Sequence, residues 1–133
     1  MARKLLVAGF LLGALAAVLG AFGAHALKGA AAEWADAAKR LEWWGTAVDY
    51  QFRHALLLIG VGLLAMRAPT RAAMVSGVLV GVGVVLFCGS LYVMALTGDP
   101  WLGRVTPVGG AALIGAWVSA AVAAPSLGRA ANG

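Results

Sequence analysis

Charge is what this chain has least of. Charged residues fill 11% of its 133 positions, against about 25% in an average soluble domain. There is one cysteine, Cys88, inside an apolar run, which excludes an intrachain disulfide and a cysteine-based zinc motif. The four prolines fall only where apolar stretches end or begin. The net charge of +5 comes without a basic run or a Lys/Arg face, so nucleic acid is excluded as a partner. What is abundant is hydrophobic residues, at 62%, against roughly 45–50% in soluble domains. That excess excludes disorder and a water-soluble globule. It predicts an all-α, multi-pass membrane protein whose partner is first of all the lipid bilayer.

Four spans of about 22 residues would use roughly 88 positions and leave little for a soluble part. The apolar pattern places them at about 5–27, 47–66, 72–97 and 106–124, a four-helix transmembrane bundle in a single domain over 1–133. Ala24-His25-Ala26 has the small-x-small form of a signal cleavage site. The apolar run before it is longer than the roughly 7–15 residues of a signal core, so the first span reads as a retained helix. Gly9, Gly13, Ala16, Gly20 and Gly23 form one small-residue seam along it, open to close approach by another helix of this chain or of a second copy. Arg67-Ala68-Pro69 stops the second span, and Gly98 before Asp99-Pro100 stops the third. Thr106-Pro107 reads as an N-cap followed by proline at the first helical position. Ala112, Gly115 and Ser119 give the fourth span a seam of its own.

Between the first two spans, residues 30–44 alternate charged positions with Trp34, Leu41, Trp43 and Trp44 at helical spacing, and Asp36 and Arg40 form an i,i+4 pair. The pattern predicts a short interfacial amphipathic helix with its tryptophans at headgroup level. An even number of spans puts both termini on one side, together with Arg3, Lys4, Arg67, Arg71 and Arg129. The other side holds Lys28, Lys39, Arg40 and Arg104 among four acids. By the Lys/Arg rule both termini are cytoplasmic, on a margin of five to four.

The second span carries Asp49, Tyr50, Gln51, Arg53 and His54. A helix entering lipid only at Ala55 would have 12 residues left before Met66 ends it. That is about 18 Å for a hydrocarbon core of about 30 Å. The polar cluster therefore belongs inside the outer leaflet, with Arg53 roughly 10 Å below the boundary. Asp49 and Arg53, one turn apart, are expected to pair on a protein-lined or watered surface. Ser76, Gly83, Ser90 and Thr97 recur every seven residues on the third span. Ser90 and Tyr92 reach the depth of Arg53, Thr106 opens the fourth span on the same side, and His25 ends the first. Together these residues outline an outer-leaflet polar site bounded by the second, third and fourth helices.

Four short motifs, in this order and spacing, resemble one known family. They are Gly20-Ala-Phe-Gly-Ala-His25-Ala-Leu27; Tyr50-Gln51 with His54-Ala55-Leu56; Phe87 with Gly89-Ser90-Leu91-Tyr92; and Thr106-Pro107-Val108-Gly109-Gly110. They resemble the transmembrane protein 256 family, also called domain of unknown function 423, over about residues 5–124. The resemblance implies a small integral membrane protein, in bacteria of the inner membrane, with about four helices. It implies no activity and no cofactor. His25, Tyr50, Gln51, His54, Ser90, Tyr92, Thr106 and Pro107 are motif positions; Asp49 and Arg53 lie outside the motifs.

Three functional classes follow. The first is a non-catalytic membrane protein that binds a partner protein, a lipid or a small ligand at His25, Asp49, Tyr50, Gln51, Arg53, His54, Ser90, Tyr92 and Thr106. The second is a small oligomeric transporter or channel using Asp49, Arg53 and His54 as a polar step. In that class only Ser76 and Ser119 could continue a path toward the inner side. The third is a haem- or metal-binding redox protein, with His25 and His54 as the ligands. Two histidines and one deep thiol fall short of a metal set, and Ser90 with His54 lacks an oxyanion donor for nucleophilic catalysis. The first class is the expectation, with no enzyme activity, no cofactor, and a second copy or another membrane protein as a potential neighbour.

Overall fold

In the computed structural model, which describes residues 1–131, the chain forms four long helices and one short one. Helix α1 spans Ala2–Glu33, α2 Ala37–Arg67, α3 Arg71–Thr97, α4 Thr106–Ala123 and α5 Ser126–Ala131. The side chain of Arg129, one of the charges in the topology count, lies outside the described residues. Helices α1, α3 and α4 are long and apolar enough to cross a membrane. Helix α2 has 31 residues, about 46 Å, with all its charges except Arg67 between Lys39 and Arg53. It lies antiparallel to α1 along nearly its whole length, from Gly62 against Leu6 to Trp44 against Leu19.

The separate interfacial helix over 30–44 does not form. Residues 28–33 complete α1, the chain turns at Trp34–Asp36, and Ala37 to Trp44 are the opening turns of α2. The physical reason lies in two side chains. Trp44 is buried and donates its indole N–H to the Leu19 carbonyl of α1 at 2.9 Å. Arg40 donates Nε to the Ala95 carbonyl at 2.8 Å and a second N–H to Leu96, both at the end of α3. Its guanidinium also stacks 3.5 Å from the Trp34 ring centroid. A cation there satisfies carbonyls that the α3 terminus leaves unpaired. The amphipathic pattern of the segment serves contacts to two other helices.

The small-residue seam of α1 is used within the chain. Gly9 and Gly13 meet Ile59 and Ala55 of α2, Gly20 meets Val48, and Gly23 meets the Trp44 ring. The seven-residue stripe of α3 packs on α4. Ser76 donates to the Ala116 carbonyl at 2.7 Å, Gly83 lies under Leu113, and Ser90 reaches Thr106. Thr97, the last position of the stripe, is exposed and bonds back to Val93 in its own helix. On α4 the buried line is Gly109, Leu113, Ala116 and Ala123, displaced round the helix from the expected 112/115/119 seam. Thr106 is the first helical residue and does not cap; its hydroxyl turns to α3. Gly98 ends α3 at φ 76, as its position predicts. Helices α1 and α3 each contain one π-helical turn, at Gly23–Leu27 and Val84–Cys88. The first lies past the middle of α1 and the second at the middle of α3.

Two glycines mark where backbone meets backbone. A methyl group on Gly62 would lie 2.8 Å from the Leu6 nitrogen, and one on Gly109 would strike the Phe87 backbone. Gly62→Ala and Gly109→Ala should each destabilise the fold by about 1–3 kcal/mol. Gly81→Ala, with nothing within 4 Å, should be neutral or stabilising by up to about 1 kcal/mol. Denaturant unfolding in mixed detergent micelles checks all three.

Candidate functional site

The expected single polar site resolves into three groups. Gln51 and Tyr92 form the first. Gln51 is buried, donates Nε2 to the Leu12 carbonyl of α1 at 3.0 Å, and accepts the Tyr92 hydroxyl of α3 on Oε1 at 2.9 Å. Trp44 and Gln51 are seven residues apart, as are their α1 acceptors Leu19 and Leu12, so the two bonds repeat one register of the antiparallel pair. This group ties three helices together and leaves no space for a ligand among its own atoms.

Ser90 and Thr106 form the second. Their hydroxyls are 2.7 Å apart, and Ser90 Oγ lies 2.9 Å from the Phe87 carbonyl. Thr106 Oγ1 is 3.3 Å from the Leu102 carbonyl. The shorter distances favour a relay in which Thr106 donates to Ser90 and Ser90 to Phe87. It joins the α3 π-helical turn to the start of α4.

The third group is a cleft. His54 is buried and both ring nitrogens are engaged. Nδ1 lies 2.7 Å from the Tyr50 carbonyl, and Nε2 lies 3.2 Å from Trp117 Nε1 on α4. An indole N–H only donates and a carbonyl only accepts, so the imidazole is the neutral tautomer with its proton on Nδ1. The Tyr50 ring stacks on His54 and packs on Phe87 at a centroid distance of 4.5 Å. Arg53 passes 5.8 Å from the Tyr50 centroid. These residues, with Gly110, Leu113 and Ile114 of α4, line a cleft of about 320 Å³ between α2 and α4. A second, almost wholly apolar cleft of about 510 Å³ continues between the same helices toward the end that holds the termini. Leu56, Gly60, Leu64, Ala120 and Ala124 are among its walls. Trp117 borders both chambers.

The Asp49–Arg53 ion pair forms, at 3.0 Å. Its expected place is a protein-lined or watered surface with partial burial; the two side chains are 65% and 63% exposed, on the outside of the bundle. The reason is angular. Gln51 and His54 take the faces of α2 turned to α1, α3 and α4, and the remaining face carries the pair. His25 is exposed on the α1 π-helical turn, apart from the other groups. Among the described residues no three of His, Cys, Asp and Glu gather as metal ligands, and a metal at His54 would have to displace a hydrogen bond from either ring nitrogen.

Sequence reasoning missed Trp117 and assigned Trp44 and Arg40 to a different element. A signal for Trp117 was present: a lone indole N–H midway along an apolar span requires an acceptor. His54 was the group that could supply one.

The family whose description reads "Protein of unknown function (DUF423)" matches residues 19–110. This chain belongs to that family. It is 42% identical to the UPF0382 membrane protein YwdK of Bacillus subtilis, over 83% of this chain and 86% of that one. It is 34% identical to the UPF0382 inner membrane protein YgdD of Escherichia coli K12, over 96% and 93%. A relative in Staphylococcus haemolyticus is 39% identical over 81% and 87%. No solved structure matches the chain. With these relatives named as membrane proteins and three spans of sufficient length and apolarity, the protein is an integral membrane protein. The family match covers the cleft residues on α2 and α3 and ends at Gly110, before Trp117.

Gln51→Leu removes the bridge and leaves the Tyr92 hydroxyl without its acceptor. The loss should be about 1–2 kcal/mol, and a double-mutant cycle with Tyr92→Phe should give a coupling of about 0.5–1.5 kcal/mol. Unfolding in detergent micelles measures both.

Proposed function

We propose that the protein is a bacterial inner-membrane protein, with both termini cytoplasmic, that binds a lipid of the bilayer in the α2–α4 cleft and carries out no catalysis. One observation supports this reading above the others: the two chambers share Trp117 and differ sharply in polarity. Tyr50, Arg53 and His54 border the chamber at the end away from the termini, and leucine and alanine border the other. A cavity polar at one end and apolar along its length matches an amphipath, and lateral opening between helices lets it enter from the membrane without crossing water. Leu64 is 14 residues below Tyr50 on α2, so the cleft runs about 21 Å, more than the roughly 15 Å depth of one leaflet.

Transport is supported less well. Toward the termini Ser76 is already bonded to α4 and Ser126 to its own turn, which leaves the half-buried Ser119 as the next polar side chain along α4 among the described residues.

Gly60 has nothing within 4 Å of its missing side chain and faces the apolar chamber. Gly60→Leu should fill that chamber, leave the folded protein intact, and abolish stoichiometric co-purification of lipid as counted by native mass spectrometry. Unchanged lipid retention in the folded variant refutes the reading. So does protein-dependent solute flux in liposomes that is lost on changing Arg53 or His54.

A further inference from the structure

One hydrogen bond joins the two helices that flank the cleft, and it depends on a proton. Trp117 of α4 donates its indole N–H to His54 Nε2 of α2 at 3.2 Å. Among the described residues no other hydrogen bond links α2 to α4. Leu57 and Val61 of α2, with Ala116 and Ala123 of α4, belong to one apolar cluster that does not titrate. We infer that His54 is a proton-operated latch on Trp117: neutral, it holds α4 to α2, and protonated, it lets go and releases the lipid. The latch rests on the geometry of these two rings; its control of lipid rests on the lipid-binding reading above.

The bond survives in only one protonation state. Nδ1 donates to the Tyr50 carbonyl at 2.7 Å, which uses the single proton of the neutral ring and leaves Nε2 as the acceptor. A second proton must go to Nε2. Two N–H groups would then face each other across a distance that suits one donor and one acceptor. The rings meet near edge-on, at an interplanar angle of 71°. The N–H edge of the indole faces His54, and the edge of an aromatic ring is its positive part. An imidazolium there gains no cation–π contact in exchange.

Nothing lining the chamber neutralises that charge. Its own helix offers the Tyr50 phenol and Arg53, a second cation; α3 offers Phe87, and α4 offers Gly110, Leu113 and Ile114. Cys88, next along α3, is buried in the cluster on which Tyr50 packs and adds no carboxylate. Helix α1 contributes no residue to the chamber. Asp49 is bonded to Arg53 and lines the groove between α1 and α2 with Lys28, outside the cleft. The charge is therefore relieved by motion. His54 is buried and pinned through Nδ1, whereas Trp117 is 52% exposed and has a chamber on either side. Trp117 is the member that swings, and it is the wall both chambers share. The closed form binds one proton fewer than the open form, so acid favours opening and higher pH favours closing.

The test uses the full-length protein in micelles of detergent and phospholipid, with nitrogen-15 in its histidine and tryptophan side chains. Nuclear magnetic resonance follows the His54 ring and the Trp117 indole from about pH 8 to about pH 5, the range in which histidine ordinarily changes charge. The missing signals of His54→Gln and Trp117→Phe assign the two. Both should move together with one midpoint, from an unprotonated Nε2 and a bonded indole N–H to an imidazolium and a released one. Lipid retention, counted by native mass spectrometry, should fall about fivefold over the same range. His54→Gln keeps an acceptor for the indole and cannot titrate, so its Trp117 signal and its retention should not change with pH. A His54 ring still neutral at about pH 5, or a Trp117 signal that does not follow it, overturns the latch. Retention that is constant with pH, or that falls equally in His54→Gln, overturns its control of lipid. If no lipid is retained at any pH, the lipid-binding reading falls, and the paired resonance shifts still decide the latch.

Discussion

A helix that carries Arg40, Trp44, Gln51 and His54 can lie among apolar neighbours only if each polar group meets a partner there. In this bundle every one does. Arg40 meets the last carbonyls of α3, Trp44 and Gln51 meet carbonyls of α1, and His54 meets Trp117 of α4. Among the described residues no buried side-chain nitrogen or oxygen is left without a partner. Helix α2 is thus the hub: the remaining helices are arranged so that its polar side chains are satisfied on three sides.

Close approach makes those bonds reachable. Side chains as short as serine can bond a carbonyl of the adjacent helix only where the backbones nearly touch, as Ser76 does at 2.7 Å. The glycines supply that proximity on both seams: Gly9 and Gly62 between α1 and α2, Gly83 and Gly109 between α3 and α4. Small residues thereby serve hydrogen bonding as much as van der Waals packing, a combination suited to lipid, where there is no hydrophobic drive to press helices together. Between α2 and α4 there is no such seam. His54 and Trp117 supply a hydrogen bond between the two helices, and the cleft opens on either side of Trp117. The candidate site is the place where tight packing stops.

The polar side chains of the second span were visible in the sequence, and so was the need to bring them into the membrane. Their division was not. Gln51 and His54 are three residues apart on one helix, yet Gln51 points to α1 and α3, while His54 points to α4. Helical periodicity gives the angle between them but not which neighbour stands at each angle. The same gap explains the misplaced segment over 30–44. Its alternation of charged and aromatic residues fits a separate short helix and the opening turns of a long one equally well, and only the positions of Leu19 and Ala95 decide between the two.

Composition and punctuation alone determined that the chain crosses a membrane repeatedly, where α2, α3 and α4 stop, and that Asp49 can pair with Arg53, because these depend on local chemistry: apolar length, proline and glycine stops, and i,i+4 spacing. Tertiary structure alone decided that α2 is one unbroken helix, that the ion pair faces outward, and that a two-chamber cleft opens beside Trp117. These depend on which helix faces cover one another, and that is settled by shape and hydrogen-bond partners distant in sequence, His54 and Trp117 being 63 residues apart.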